Sequence, residues 1–558
     1  MTAADSAQNG GKTMVNLTID GKPVSVPAGT NVIEAAKTIG VEIPHYCYHK
    51  NLSIAGNCRM CQIEIKGMRK LEIGCNAVVK EGMEVATQHT SKTVSDAQAA
   101  TLEFILINHP LDCTVCDQAG HCKLQDYHFE YNAKQSRFLE EKEHKVKAEP
   151  LGPTVMLDGE RCILCTRCVR FCDEVTETSE LGVLNRGDRS VIAINQGREL
   201  NNPLSGTVVD LCPVGALTHR EWRFNSRIWF TKQTDSVCPG CSTGCNTKIA
   251  VRDREVVQVK ARDNQAVNKE WMCDEGRYGM GRFLPKGRQL SASIAGTQSS
   301  LDNAIKEAAA TLKNQRVVVF VAPDMTLEEY TILKGLLGKY LKGATTVLAH
   351  RERKLTKTEA ILISPDYSPN FRGAEFTGLV SGDFEASYAD ALDKFRAGGF
   401  QHALFIGDRS VMAQDLNPQF LSALAAAPGT VAIVTDADSA LAATCKVVLP
   451  GRSILEKSGL MINRAGRLQY TDRIVEYQQG SEAEWRLFNR LAEQLGGKLV
   501  TVGTERELTL SLLGSEPRLQ GAKLSAVKQG GICLKATLGS VVSASHASTS
   551  GGDQPGAV

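Results

Sequence analysis

Long apolar runs are missing from this 558-residue chain, and so is any excess of charge of one sign. The stretches 102–107 and 317–322 are its more apolar segments, far short of the roughly 18 residues a membrane helix needs. The expectation is a chain that does not cross a membrane. Lys and Arg total 64 against 62 Asp and Glu, a formal net charge of +2. The basic surplus that marks a nucleic-acid binder is therefore absent. No G-x-G-x-x-G follows a strand pattern and no G-x-x-x-x-G-K-[ST] occurs, which removes the usual dinucleotide and nucleotide-phosphate cradles. No nucleophile stands with an evident base. Cysteine is nearly absent from the second half: of 18, only Cys445 and Cys533 lie beyond Cys273.

The other 16 cysteines crowd the first half. Disulfide-dense chains are small and secreted, whereas this one is large enough for about three or four domains. Met1–Gly11 carries Asp5 and no apolar core, and the first arginine is Arg59. Neither a secretory signal nor a mitochondrial presequence is expected from that opening. Reduced thiols in such numbers point to metal or cluster ligation.

The patterning suggests a multidomain chain, α+β first and α/β later. Residues 1–13 read as a disordered leader. Val15, Leu17 and Ile19 alternate with polar residues, Asp20-Gly21 supplies a turn, and Val24 and Val26 resume the alternation, a hairpin signal. Asn31-x-x-Glu34 resembles a capping box and opens a helix that Gly40 stops. A second helix is predicted over 91–108 with Leu102, Ile105 and Leu106 buried, ending before His109-Pro110. Further on, 315–321, 402–406 and 430–435 are short apolar runs between helical patterns at 300–313 and 327–340. Such alternation predicts a parallel, doubly wound sheet. The expected divisions are 14–90, 91–150, 151–233, 234–290 and 291–540, with a disordered Ser/Gly/Ala-rich tail at 541–558.

Four candidate ligand sets emerge. The first, Cys47, Cys58, Cys61 and Cys75, is spaced C-x10-C-x2-C-x13-C and suits a 2Fe–2S centre, with four-thiolate zinc as the alternative. The second has Cys113, Cys116 and Cys122, one thiol short for a 4Fe–4S cluster. His109 upstream, or His121 beside Cys122, completes it. A neutral imidazole in place of a thiolate raises a centre's potential, as in Rieske proteins. The third begins Cys162-x2-Cys165-x2-Cys168. Cys172 and Cys212 compete for its fourth place. Cys212 is followed by Pro213, and 181–211 lacks the cysteines a second complete cluster would need, so Cys212 is assigned. The fourth set is Cys238, Cys241, Cys245 and Cys273, for a further 4Fe–4S or for zinc. Arg161, Arg167 and Arg170 crowd the third set, where cations would offset an anionic cluster.

Several one-electron centres without a substrate motif describe a conductor. Electron tunnelling falls steeply with distance, so closely spaced clusters are the physical way to carry charge through a large protein. The order of the sets, with H-P-L-D-C-T-V-C-D-Q-A-G-H-C, R-C-I-L-C-T-R-C-V-R and D-L-C-P-V-G-A-L, resembles the family of large iron–sulfur subunits of respiratory complex I. These are the G-type subunits of bacterial NADH:quinone oxidoreductases and their 75-kDa mitochondrial counterparts.

The resemblance implies a β-grasp ferredoxin-like domain, cluster domains, and a truncated molybdopterin-oxidoreductase-like α/β domain. It implies 2Fe–2S on the first set and 4Fe–4S on the second and third, and it favours His109 over His121. The fourth set is similar to an extra 4Fe–4S of some bacterial members. The segment from Cys445-K-V-V-L-P to E-K-S-G-L-M-I-N-R-A-G-R-L-Q resembles a late part of the molybdopterin fold. No cysteine in 274–444 could ligate molybdenum, so no molybdopterin is expected. The implied partners are a flavin- and NADH-binding subunit, a small 2Fe–2S subunit and a ferredoxin-like 4Fe–4S subunit, with the membrane arm reached indirectly. The implied location is peripheral, on the cytoplasmic face of a bacterial plasma membrane. The competing readings are the α subunit of an NAD-linked formate dehydrogenase, a hydrogenase-type subunit, and a zinc-stapled scaffold.

Overall fold

Alternation and turn chemistry set the first element. In the computed structural model, which describes residues 13–132 and 134–534, β1 (Met14–Ile19) and β2 (Lys22–Pro27) form an antiparallel hairpin closed by Asp20 and Gly21, both at positive φ. The leader, apart from Thr13, and the tail at 541–558 lie outside the described residues. Asn31 caps α1 (Val32–Lys37) by accepting from the Glu34 amide. Gly40 turns the chain out at φ +73°. Strands β3 (Gln62–Ile65), β4 (Glu72–Ile73) and β5 (Glu84–Ala86) complete a five-stranded sheet in the order β2-β1-β5-β3-β4. Its core takes in Val32, Ile33 and Ile63 together with Cys61 and Cys75, so two candidate ligands grow out of packed apolar surface.

Ser91 caps α2 (Lys92–Leu106). Leu102 is buried as expected, but Ile105 and Leu106 are only half-buried. The last turn faces outward, Phe104 is exposed, and Lys142 bonds the terminal carbonyls of Leu106 and Ile107. Cys122 opens α3 (Lys123–Tyr131). Then come β6 (Glu149–Pro150), β7 (Val155–Leu157), α4 (Arg167–Glu174), the β8–β9 hairpin (Leu181–Leu184, Val191–Ile194), α5 (Thr207–Leu211) and β10 (Leu217–His219). These elements belong to one compact unit that ends at Thr231.

The second unit starts at Lys232. Strands β11 (Lys232–Val237), β12 (Asn246–Arg252) and β13 (Glu255–Ala261) form an antiparallel sheet followed by α6 (Asp274–Tyr278). A seven-stranded sheet follows. Five of its strands are parallel neighbours: β20 (Val447–Pro450), β19 (Gly429–Val434), β18 (His402–Ile406), β16 (Val317–Val321) and β17 (Thr345–Leu348). The expectation of a parallel sheet needs one correction, because β14 (Ala292–Ile294) and β15 (Thr297–Ser299) add an antiparallel edge. They are too short and too polar to register as apolar runs.

Both faces of this sheet are covered. Val317, Val319 and Val321 pack with α7 (Leu301–Leu312), α8 (Leu327–Tyr340) and α13 (Glu484–Leu495). Val318 and Phe320 pack with α10 (Phe384–Arg396), α11 (Pro418–Ala426) and α12 (Ala440–Thr444), while α9 (Phe371–Thr377) lies on the first side. Burial on both faces is why the strands read as continuous apolar runs rather than alternating ones. Cys445 is buried in the second of these cores, as a packing residue. The E-K-S-G segment carries buried charge: Lys457 bonds Glu329 and Glu484 at 3.1 and 2.9 Å, and Glu456 pairs with Arg254 and Arg288. Among the described residues no helix is long and apolar enough to cross a membrane.

Candidate iron–sulfur sites

The first set sits where the small sheet meets its long loop. Cys61 immediately precedes β3, and Cys75 follows β4 by two residues. Cys47, Cys61 and Cys75 are buried and Cys58 half-buried. The thiols fall into two pairs. Cys47 shares a hydrogen bond with Cys58, which pushes Cys47 down to about 5 and Cys58 up; Cys61 and Cys75 divide in the same way, Cys75 lowered. Two pairs suit a binuclear centre, one pair for each metal. Tyr46 is fully buried and packs on Tyr127 of α3 at 5.4 Å, so this loop and the helix opened by Cys122 share a core.

His109 lies beyond the end of α2, and Cys113, Cys116 and Cys122 follow through tight turns. Cys116 and Cys122 are buried and Cys113 is exposed. The His109 Nδ1 is buried and has no hydrogen-bond partner among the described residues. Burial lowers the imidazole to about 4, aided by Arg161 and Lys142, so it is neutral and fit to ligate. The ring nitrogens of His121 are buried as well, so burial by itself does not separate the two histidines. A glycine from further along the chain makes room for this set. A Cβ at Gly215 would come closer than 3.0 Å to the Cys116 Sγ, so that residue must be glycine for the thiol to stand where it does. Sequence pattern alone gives Gly215 no role, although it ends the C-P-V-G stretch that starts at Cys212.

The third set closes around one cavity. Cys162, Cys165, Cys168 and Cys212 line it with Leu157, Ile192, Val214, Leu217 and Arg167. Leu164 and Thr166 both take positive φ, 54° and 60°, as the chain bends between successive cysteines. Cys168 lies in α4 and Cys212 terminates α5. Burial pushes Cys162 up to about 11 and Cys212 to about 12, and nearby thiols add to it. Cys172 is buried on α4 but does not line the cavity; it receives backbone N–H groups of Glu180 and Leu181 instead.

The fourth set repeats that arrangement in the second unit. Cys238 and Cys245 flank the β11–β12 turn and are joined by a 2.8 Å backbone bond, and Cys273 caps α6 by accepting from the Gly276 amide. With Cys241 they line one cavity, as the four cysteines of the third set do. Gly276 again makes room, since a Cβ there would sit 3.1 Å from the Cys238 Sγ. Burial raises Cys238 to about 12.

Four buried thiols around one cavity resist ionising, each opposing the next, until a positive group shares their charge. The donor sets therefore fit metal-rich clusters. Among the described residues no three His, Cys, Asp or Glu side chains draw together as a single metal ion requires.

Known families match the chain piece by piece. The matching models are a 2Fe-2S iron-sulfur cluster binding domain over 12–90, an NADH-ubiquinone oxidoreductase-G iron-sulfur binding region over 98–137, and an NADH-quinone oxidoreductase subunit 3 ferredoxin-like domain over 152–218. A molybdopterin oxidoreductase Fe4S4 domain matches 231–284 and a molybdopterin oxidoreductase domain 370–494. 2Fe–2S- and 4Fe–4S-binding domains are thus present. The chain is 37% identical to the NADH-ubiquinone oxidoreductase 75 kDa subunit of Reclinomonas americana over 64% of its own length and 53% of that relative's. It is 39% identical to the G-type subunit of the NADH-quinone oxidoreductase of Streptomyces coelicolor over 54% of its length and 37% of that relative's. The chain therefore matches about half or less of these relatives. A solved NAD+-reducing [NiFe]-hydrogenase structure aligns at 28% identity over 38% of this chain and 91% of that one, with a TM-score of 0.35, too low to bear on the fold.

Proposed function

We propose that this homologue of the G-type and 75 kDa iron–sulfur subunits carries single electrons as a peripheral component of an NADH:quinone oxidoreductase. It would receive them from a flavin- and NADH-binding partner beside a small 2Fe–2S subunit, and pass them through a ferredoxin-like 4Fe–4S partner toward quinone. The observation that carries this reading is the pair of cavities, each walled by four cysteines of one set. Iron–sulfur clusters supply one-electron couples whose potentials follow net charge, hydrogen bonding and exposure.

Cys47, Cys58, Cys61 and Cys75 would hold one 2Fe–2S cluster. His109, Cys113, Cys116 and Cys122 would hold a 4Fe–4S cluster, and Cys162, Cys165, Cys168 and Cys212 another. Cys238, Cys241, Cys245 and Cys273 would hold a third. Iron is favoured over zinc by the cysteine spacings and by the 2Fe-2S, G-type iron-sulfur and Fe4S4 domain models that match these stretches. The α/β domain would be structural and free of molybdopterin, a reading supported by the lack of cysteine in 274–444 and by the buried ion pairs of Glu456 and Lys457. The proposed domain limits are 14–90, 91–150, 151–233, 234–290 and 291–540, and the proposed location is the cytoplasmic face of a bacterial plasma membrane.

The protein's own residues do the rest. Apolar walls such as Leu157, Ile192 and Leu217 exclude water from the third site, and the neutral His109 imidazole replaces a charged ligand at the second. The test is low-temperature EPR of the chain within its complex after NADH addition. Signals of both 2Fe–2S and 4Fe–4S type that appear on NADH reduction support the proposal; a complex that reduces quinone while this chain's centres stay silent at every potential refutes it.

A further inference from the structure

Arginines removed from solvent are ordinarily paired with carboxylates. Arg161 obeys this rule: it meets Asp112 at 2.8 Å and Asp158 at 3.3 Å. Arg167 and Arg170, three residues apart on α4, do not. Both are half-buried, and among the described residues their partners are uncharged. Arg170 donates to the carbonyls of Cys47 at 2.6 Å, of Cys165 at 3.2 Å, and of Ser53. Arg167 donates to the carbonyls of Tyr48 at 2.5 Å and of Leu211 at 3.2 Å, the residues next to Cys47 and Cys212. Arg167 also lines the cavity of the third set, and its Nε–H is buried without a partner among the described residues.

Each guanidinium therefore touches backbone of both the first and the third ligand sets, with no carboxylate to neutralise it. The thiolates formed on ligation would supply negative charge beside both guanidinium groups. Consistent with this, burial raises Cys165 but Arg167 and Arg170 both pull it back down, and Arg170 assists the Cys58 hydrogen bond in lowering Cys47.

We propose that Arg167 and Arg170 are positioning residues that give the first and third sites a shared, unneutralised positive charge, raising the reduction potentials of both together, while Arg161 contributes far less because two aspartates already balance it. The proposal rests on the cluster reading above. A positive charge close to a cluster favours its reduced, more negative state, and an N–H donor to a cluster sulfur acts in the same direction.

The test is an EPR-monitored redox titration of the anaerobically purified full chain, with iron content measured on each sample. Arg170→Gln should lower both the first-set and third-set midpoints, each by about tenfold in the reduction equilibrium, about 59 mV for one electron. Arg167→Gln should lower the third by a similar factor. Arg167→Lys and Arg170→Lys should restore most of the shift. The second site, and all sites in the exposed-charge control Arg186→Gln, should stay within about twofold of wild type. Shifts below about twofold in both Gln variants, shifts matched by Arg186→Gln, or Lys variants as low as the Gln ones would overturn it. If a Gln variant loses a cluster, the Lys variants decide: a retained cluster near the wild-type midpoint supports the proposal, and loss there too overturns it. Wild-type protein without signals would instead refute the cluster reading itself.

Discussion

Gly215 stands so close to Cys116 that no larger residue fits beside the thiol. It follows Cys212 by three positions, so one short turn ends the third set and shapes the second. Gly215→Ala should push Cys116 aside while leaving Cys212 in place. The expected outcome is loss of up to about four iron atoms per chain and of the second-site EPR signal, with the third-site signal retained.

Cys172 and Cys212 give opposite expectations. Cys212 lines the third cavity and Cys172 does not. Cys172→Ala should keep full iron content and cost about 1 kcal/mol of stability, as for a small buried side chain trimmed from a core. Cys212→Ala should remove the third site's signal. Iron analysis and EPR on the two variants check this side by side.

On the proposed ligation, His109 gives the second site its electronic distinction. His109→Cys would replace a neutral ligand with an anionic one, so the second midpoint should fall by roughly 100 mV, given the gap between Rieske and all-thiolate centres. His109→Ala should lose the site. A redox titration of His109→Cys with every signal unmoved would take His109 off the ligand set.

The α/β domain has a pH dependence of its own. Glu328, fully buried, is raised from 4.5 to about 7 by burial, which the Thr509 and Leu460 hydrogen bonds only partly oppose. A carboxyl with a raised folded value stabilises the fold fully below pH 4.5, and that contribution is lost as pH climbs through about 7. The stability of wild type relative to Glu328→Gln should therefore fall by about 3 kcal/mol between those limits. Paired urea titrations of the full chain by circular dichroism would show it; a difference flat across that window would contradict it.

Much of this was readable from short-range pattern. The Asp20-Gly21 turn, the Asn31 cap and the helix Leu327–Tyr340 are written in neighbouring residues, and the structure places them accordingly. The cysteine spacings grouped the thiols that line the two cavities. Local pattern did not reveal which arginine is neutralised. Arg161, Arg167 and Arg170 look alike in sequence; Asp158 stands three residues before Arg161, but its closer partner, Asp112, comes from a distant part of the chain. Nor could it reveal Gly215 against Cys116, a contact across about a hundred residues, or the short antiparallel edge of β14 and β15. The outward turn at Ile105 was missed because burial there depends on which chain segment covers the helix end.

Iron, acid-labile sulfide and zinc measured together on anaerobically purified full chain test the central claim most directly. The expected result is about 14 iron atoms with matching sulfide and negligible zinc. Zinc in comparable amount, or protein without iron, would contradict it.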